Sequence, residues 1–166
     1  MSQTDTAKVD DDIVACVEIP RGSRNKYEYD PALDAIVLDR RLFTSTVYPV
    51  DYGFVGETLA EDGDAIVLVN DPTFPGCRIR GRAVAVFRMV DEKGADDKLV
   101  CVPLRDPMWS IVSDVGDIHD ALRAEIELFF RACNDLEGLQ TQTAGFGDRA
   151  EALLVRAAAR DRVARP

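Results

Sequence analysis

The sequence predicts a mainly β chain of the α+β class: a small β-barrel with helices packed outside it. Three observations carry that expectation. The first two thirds of the chain alternate short β-branched runs with Gly, Pro and Asp turns, whereas the last third changes to helical periodicity. The 166 residues are 46% hydrophobic, enough for one real core. No segment repeats and no linker divides the chain, so residues 13–166 are expected to form one domain behind a loose, polar, acidic tail of residues 1–12.

Ile13 to Ile19 is β-branched and reads as the first strand, ended by Pro20 and the turn R-G-S-R-N. Lys26 to Asp30 alternates, with Lys26, Glu28 and Asp30 on one face and Tyr27 and Tyr29 on the other. Asp34 to Leu38 is a further short strand. The stretch from Tyr48 to Asp64 holds three glycines, a proline and the triplet Asp62-Gly63-Asp64. That triplet alone is a turn signal, but two carboxylates about a glycine can also converge on a hard divalent cation. Ile66 to Val69 is a brief apolar strand, closed by the turn N-D-P-T-F-P-G. Arg78 to Val90 is long enough for a bent strand, Asp91 to Asp97 is an acidic hairpin loop, and Lys98 to Pro103 is another strand. Asp117 is a good N-cap for a helix whose apolar face carries Ile118, Leu122, Ile126, Phe129, Phe130, Cys133 and Leu136. Gly138 to Gly147 reads as a loop, and Ala150 to Val163 as a second helix with Leu153, Leu154 and Ala157 as its stripe.

Charge and composition exclude several functions. The net charge of −10 repels nucleic acid and anionic membrane, and an OB-type nucleic-acid binder would need a basic aromatic face that is absent. No apolar run is long enough to cross a bilayer and no secretion signal is seen, so a cytoplasmic location is expected. Cys16, Cys77, Cys101 and Cys133 show no C-x-x-C spacing and read as reduced thiols. The lone His119 rules out a His-based metal site and reads as a surface residue.

The candidates for chemistry are the carboxylates Glu18, Glu28, Asp62, Asp64, Asp91 and Asp96, the cations Lys26, Arg40 and Lys98, and the phenols Tyr48 and Tyr52. Clustered carboxylates hold Mg2+, Lys and Arg neutralise phosphate oxygens, and a spare carboxylate can take a proton from water. Such a set suits phosphoanhydride hydrolysis.

In its motifs the chain resembles the soluble, Mg2+-dependent inorganic pyrophosphatases of bacterial type. The resemblance rests on E-I-P-R-G-S-R-N-K-Y-E-Y-D (18–30), L-D-R-R-L-F-T-S-T-V-Y-P-V-D-Y-G-F (38–54), E-D-G-D (61–64), P-T-F-P-G-C (72–77), F-R-M-V-D-E-K-G-A-D-D-K-L-V-C-V-P (87–103) and E-I-E-L-F-F (125–130). It implies an OB-like five-stranded β-barrel with flanking C-terminal helices and a homohexamer. It implies pyrophosphate as substrate and Mg2+ as cofactor. Lys26, Arg40, Tyr52 and Lys98 fall on substrate-binding positions, and Glu18, Asp62, Asp91 and Asp96 on metal-binding ones. Asp64, near the attacking water, is the candidate general base, with Asp96 beside it as a second catalytic carboxylate. Glu28 is another cavity carboxylate.

Two departures bear on activity. The family motif D-x-D-P-x-D before an apolar strand here reads D-G-D-A-I-V-L-V, so the third Asp, which bridges two metals, is missing. An ungapped placement puts Val67 there; a three-residue loss removes P-x-D; and Asp71 lies about 13 Å further along a strand. The helical Tyr-Lys pair of the family is replaced by Cys133-Asn134. The expectation is a weakened inorganic diphosphatase, with a non-catalytic relative that binds metal or phosphate, or assembles with an active paralogue, as the alternative.

Overall fold

The computed structural model describes residues 12–56 and 63–165; the acidic segment 1–11 and Asp62 lie outside the described residues. Among the described residues, nine strands and two α-helices follow in the order β1 (Asp12–Ile19), β2 (Asn25–Asp30), β3 (Ala35–Arg41), β4 (Asp51–Val55), β5 (Asp64–Val67), β6 (Arg78–Asp91), β7 (Gly94–Ala95), β8 (Lys98–Pro103), α1 (Asp120–Leu136), β9 (Gln142–Gly147) and α2 (Arg149–Val163). Asp12, expected at the end of the tail, is the first residue of β1.

The barrel runs β1-β4-β5-β8-β6 and closes because β6 also pairs with β1, from Asp12↔Arg82 to Cys16↔Arg78. The length of β6 is what permits closure, since it pairs with β1 at one end and with β8 and β9 along the rest. The β2–β3 hairpin stands apart as a two-stranded ribbon. Alternate residues of the barrel strands feed two cores. Ile66 joins Phe87, Phe129 and Phe130 under α1, whereas its neighbours Ala65 and Val67 join Leu99 and Ala152 under α2.

Three strands were not expected, one of them the two-residue β7 inside the expected acidic hairpin loop. The segment D-Y-G-F-V forms β4, paired with β1 and β5; Gly53 sits so close to β1 that a Cβ there would lie 1.9 Å from the Cys16 carbonyl oxygen. The region expected as a loop, 138–147, carries β9, which pairs with β6 through Phe87↔Phe146 and Val86↔Gly147. The expected Ile66–Val69 strand starts two residues earlier and ends at Val67, although Leu68 still donates its N–H to the Cys101 carbonyl.

The helices differ in detail too. Asp117 ends a short 3-10 turn (Val115–Asp117) and its carboxylate accepts the N–H of Ser113 and Asp114. His119 is the N-cap of α1, its Nδ1 accepting the Ala121 N–H at 3.1 Å. Ile126, Phe129 and Phe130 are buried as expected, but Leu136 is 54% exposed. On α2 the expected stripe is only partly turned in: Leu153 is half-buried, but Leu154 is 71% exposed and Ala157 is exposed, whereas Ala152, Arg156 and Ala159 are buried. Small alanines let α2 lie close on β6 and β8, and the buried Arg156 guanidinium donates to the Asp12 carbonyl. All four cysteines are free thiols, and burial pushes Cys101 up to about 12.

Asp51, fully buried at the start of β4, fastens the turn before β6. Its carboxylate accepts the Arg21 N–H at 2.7 Å, the Thr73 N–H at 3.2 Å and the Thr73 hydroxyl at 2.6 Å.

Candidate active site

Four side chains from four places in the sequence meet at one end of the barrel. β4 contributes Tyr52, β5 contributes Asp64, the β7–β8 connection contributes Asp96, and β8 contributes Lys98. The β4–β5 register, Tyr52↔Ile66 and Phe54↔Asp64, puts Tyr52 and Asp64 on the same side of the sheet, while β5 and β8 run parallel and bring Lys98 alongside. Lys98 Nζ lies 3.0 Å from Asp64 Oδ2, 3.1 Å from Asp96 Oδ2 and 3.0 Å from Tyr52 Oη. The Tyr52 hydroxyl in turn donates to Asp64 Oδ2 at 2.8 Å. An ammonium has three protons, and all three are committed here. Lys98 is only 4% exposed and rests over the rings of Tyr52 (5.3 Å) and Phe130 (5.6 Å).

The charges of this cluster depend on one another. Burial acts to lower the Lys98 pKa, but Asp64 and Asp96 outweigh it and hold the ammonium above its ordinary value. Burial raises Asp96, with Lys98 opposing. Tyr52 stands well above the usual phenol, through burial and then the negative charge of Asp64. Glu18 is also raised, chiefly by burial and further by Asp64 and Glu28, although the Tyr29 N–H at 2.8 Å favours its charged form.

These groups open onto a cleft of about 520 Å3 bounded by Glu18, Lys26, Glu28, Asp64, Asp91 and Asp96. Lys93, at the tip of the β6–β7 hairpin, lines the same cleft; it was not singled out from the sequence, although the D-E-K-G turn contained it. A second cavity of about 240 Å3 continues from the cleft toward α1, past Tyr48 and Cys133.

The sequence-derived candidates are thus largely gathered. Glu18, Lys26, Tyr52, Asp64, Asp91, Asp96 and Lys98 line one or both connected cavities. Arg40 is turned aside: its guanidinium is bonded to Glu137 after α1 and lies 3.4 Å from Asp39. Lys26, its register partner on the hairpin, lies 3.8 Å from Asp39. Tyr48 is buried between Tyr52 (5.8 Å) and Phe129 (4.6 Å), with its hydroxyl raised by burial.

Among the described residues, no group of three or more His, Cys, Asp or Glu side chains is arranged to hold a metal ion. The donor chemistry nevertheless fits a hard divalent cation. Asp64 and Asp96 already converge on one positive charge, the Lys98 ammonium, and further carboxylates line the same cleft. Mutual repulsion helps to raise Glu18 and Asp96, and a bound cation would relieve it. Asp64 heads β5, and its neighbour Val67 is 1% exposed in the core under α2, so Val67 stands where no cleft carboxylate could be placed.

The family model described as Inorganic pyrophosphatase matches residues 15–164. The inorganic pyrophosphatase of Streptomyces coelicolor is 54% identical over 140 residues, which covers 82% of this chain and 86% of that one. The inorganic pyrophosphatase of Corynebacterium glutamicum is 47% identical over 154 residues, covering 90% and 97%. Among solved structures, the inorganic pyrophosphatase from Thermus thermophilus superposes with a TM-score of 0.87 at 39% identity, covering 98% of this chain and 97% of that one.

Proposed function

Since the chain belongs to the inorganic pyrophosphatase family, we propose that it hydrolyses pyrophosphate to two phosphates in the cleft between Lys26 and Asp96, with Mg2+ as its cofactor. The observation that carries this is the Tyr52–Asp64–Lys98–Asp96 cluster at the floor of a carboxylate-lined cleft. The non-catalytic alternative is not favoured by relatives at 54% and 47% identity that are themselves named pyrophosphatases.

Mg2+ would be held by Asp64, Asp91 and Asp96, with Glu18 further out and Asp62 beyond the described residues; when bound it neutralises phosphate oxygens and makes a bound water more acidic. Lys26 and Lys93 supply positive charge to the diphosphate oxygens. Lys98, with its three protons taken, acts mainly as a positioning residue that fixes Asp64 and Asp96. Arg40 joins the substrate once it leaves Glu137. A water oxygen adds to one phosphorus, the bond to the bridging oxygen breaks, and the second phosphate leaves. Asp64 and Asp96 are the carboxylates placed to take the proton.

The missing motif residues can be placed more specifically. Taking Asp-Pro-x out of D-x-D-P-x-D leaves the same letters as taking out Pro-x-Asp. Asp64 then takes the place of the third Asp, directly before the apolar strand, and the middle Asp is the one lost. The position of Asp64 at the head of β5, in contact with Lys98, supports this placement. The Cys133-Asn134 pair still removes a phenol and an ammonium, and each such donor is commonly worth about 100-fold in rate. The enzyme is therefore a slow one.

A cytoplasmic location accords with four free thiols, and a homohexamer accords with the family resemblance. Nucleic acid is not a partner of so acidic a chain, with its net charge of −10, and no helix among the described residues is long and apolar enough to cross a membrane. Phosphate release from pyrophosphate should require Mg2+ and vanish with chelator. Release that is absent at micromolar enzyme, or unaffected by chelator, contradicts the proposal.

A further inference from the structure

A separate cavity, of about 690 Å3, lies at the other end of the barrel and shares no residue with the cleft or its extension toward α1. β5 and β8 start at the cleft with Asp64 and Lys98 and run parallel away from it, while β6 begins at Arg78 and returns to the cleft at Asp91. The far turns, 69–73 after β5 and 103–108 at the end of β8, therefore meet beside the first residues of β6. The length of β8, from Lys98 to Pro103 at about 3.3 Å per residue, separates this cavity from the cleft by roughly 16 Å. Its walls are fixed. The Arg21 guanidinium donates to the Val69 carbonyl at 3.0 Å and the Asn70 carbonyl at 2.6 Å, and the buried Asp51 holds Thr73. On the other side the Asp106 carboxylate accepts the Met108 N–H at 2.8 Å, and the Leu104 N–H donates to the Arg80 carbonyl at 3.0 Å. Arg78, Arg80 and Arg105 line the space against Asp71 and Asp106, so it is locally positive on a chain of net charge −10. Arg82, next on the same face of β6, is committed: its guanidinium donates to the Ser110 and Val112 carbonyls. The guanidinium groups of Arg78, Arg80 and Arg105 make no hydrogen bond and no ion pair among the described residues, and all three side chains are exposed. Ile79, Leu104, Pro107 and Met108 give the same cavity an apolar surface.

We infer that this cavity is a binding site for an organic phosphate monoester, with the phosphate among Arg78, Arg80 and Arg105 and the organic group against Leu104 and Met108. Guanidinium forks match phosphate oxygens two at a time, and three uncommitted ones favour a dianion over a carboxylate. The apolar surface favours an ester over inorganic phosphate, because the ester brings apolar area to bury there. The volume lies within the usual range of small-molecule sites.

Calorimetric titration of phenyl phosphate into the full chain, at low salt and in chelator, tests the site. Inorganic phosphate and benzoate are the comparison ligands. One double variant, Arg78→Gln with Arg105→Gln, removes two guanidinium groups that are exposed, so the core is untouched. A second, Lys26→Gln with Lys93→Gln, removes two cations of the cleft instead. Phenyl phosphate should bind the wild type at least about fivefold more tightly than either comparison ligand. Its Kd should rise at least about tenfold in the arginine variant and change less than about twofold in the lysine variant. A Kd unchanged in the arginine variant overturns the inference, and binding lost only in the lysine variant assigns the ligand to the cleft and overturns it too. So does a wild type with no saturable binding below about 10 mM, or one that binds inorganic phosphate as tightly as the ester. None of these readouts requires hydrolysis of pyrophosphate, so their outcome is independent of the activity proposed for the cleft.

Discussion

Replacing Lys98 with methionine isolates the charge balance of the cleft. The ammonium is 4% exposed and has three partners within 3.1 Å, two of them carboxylates. Methionine keeps most of the apolar stem over Tyr52 and Phe130 but leaves Asp64 and Asp96 facing each other without a counter-charge. Removing one partner of a buried charged network costs about 3–5 kcal/mol. In a chain of 166 residues that corresponds to a fall in Tm of about 6–20 °C. The same two carboxylates should then hold a divalent cation more tightly, because Lys98 no longer competes for them. Thermal unfolding with chelator and with 10 mM Mg2+ measures both effects. Lys98→Met should melt far below the wild type in chelator and recover more than the wild type does on adding Mg2+. A variant that melts within about 2 °C of the wild type in chelator, or that gains no more from Mg2+, would refute the idea that Lys98 balances these carboxylates.

Three further outcomes follow from other contacts. Asp51→Ala strands the Arg21 N–H and both Thr73 donors and should cost about 3 kcal/mol in urea unfolding, with much of that loss shared in the double variant with Thr73→Val. Glu18 is raised above its ordinary 4.5, so its contribution to stability is fully present below that value and is lost as pH rises through its folded pKa. In chelator, Glu18→Gln should therefore remove part of the decline in Tm between pH 4.5 and 7, and an unchanged slope would show that Glu18 is not strained. The double variant Cys133→Tyr, Asn134→Lys should raise kcat for pyrophosphate by about 100-fold or more, measured by Mg2+-dependent phosphate release.

The types of residue at the site were legible in the sequence, but their arrangement was not. Tyr52, Asp64, Asp96 and Lys98 are candidates by chemistry alone. That Lys98 is buried and fully committed depends on a parallel β5–β8 pairing, which no local pattern announces. β4 escaped notice because Gly53 makes D-Y-G-F-V look like a turn, whereas the glycine is there to let β1 approach. β9 lacks β-branched residues apart from Thr143 and is held by its pairing with β6. On α2 two faces compete in the sequence, and the smaller one won because alanines allow close contact with the sheet. By contrast β1, β2, β6, β8 and the Phe129–Phe130 face of α1 have long, unambiguous patterns and lie close to where they were expected. Asp51 was hidden inside a motif already assigned to the site, with nothing in its neighbours to mark it as a buried latch.

In the proposed function Asp64, at the head of β5, serves a working diphosphatase cleft. Single-turnover phosphate release from pyrophosphate, with enzyme in excess and Mg2+ present, tests it most directly when the wild type is set against Asp64→Asn. Mg2+-dependent release by the wild type is expected, with a rate at least about 100-fold lower in Asp64→Asn. Equal rates in the two proteins, or no release by the wild type, would contradict it.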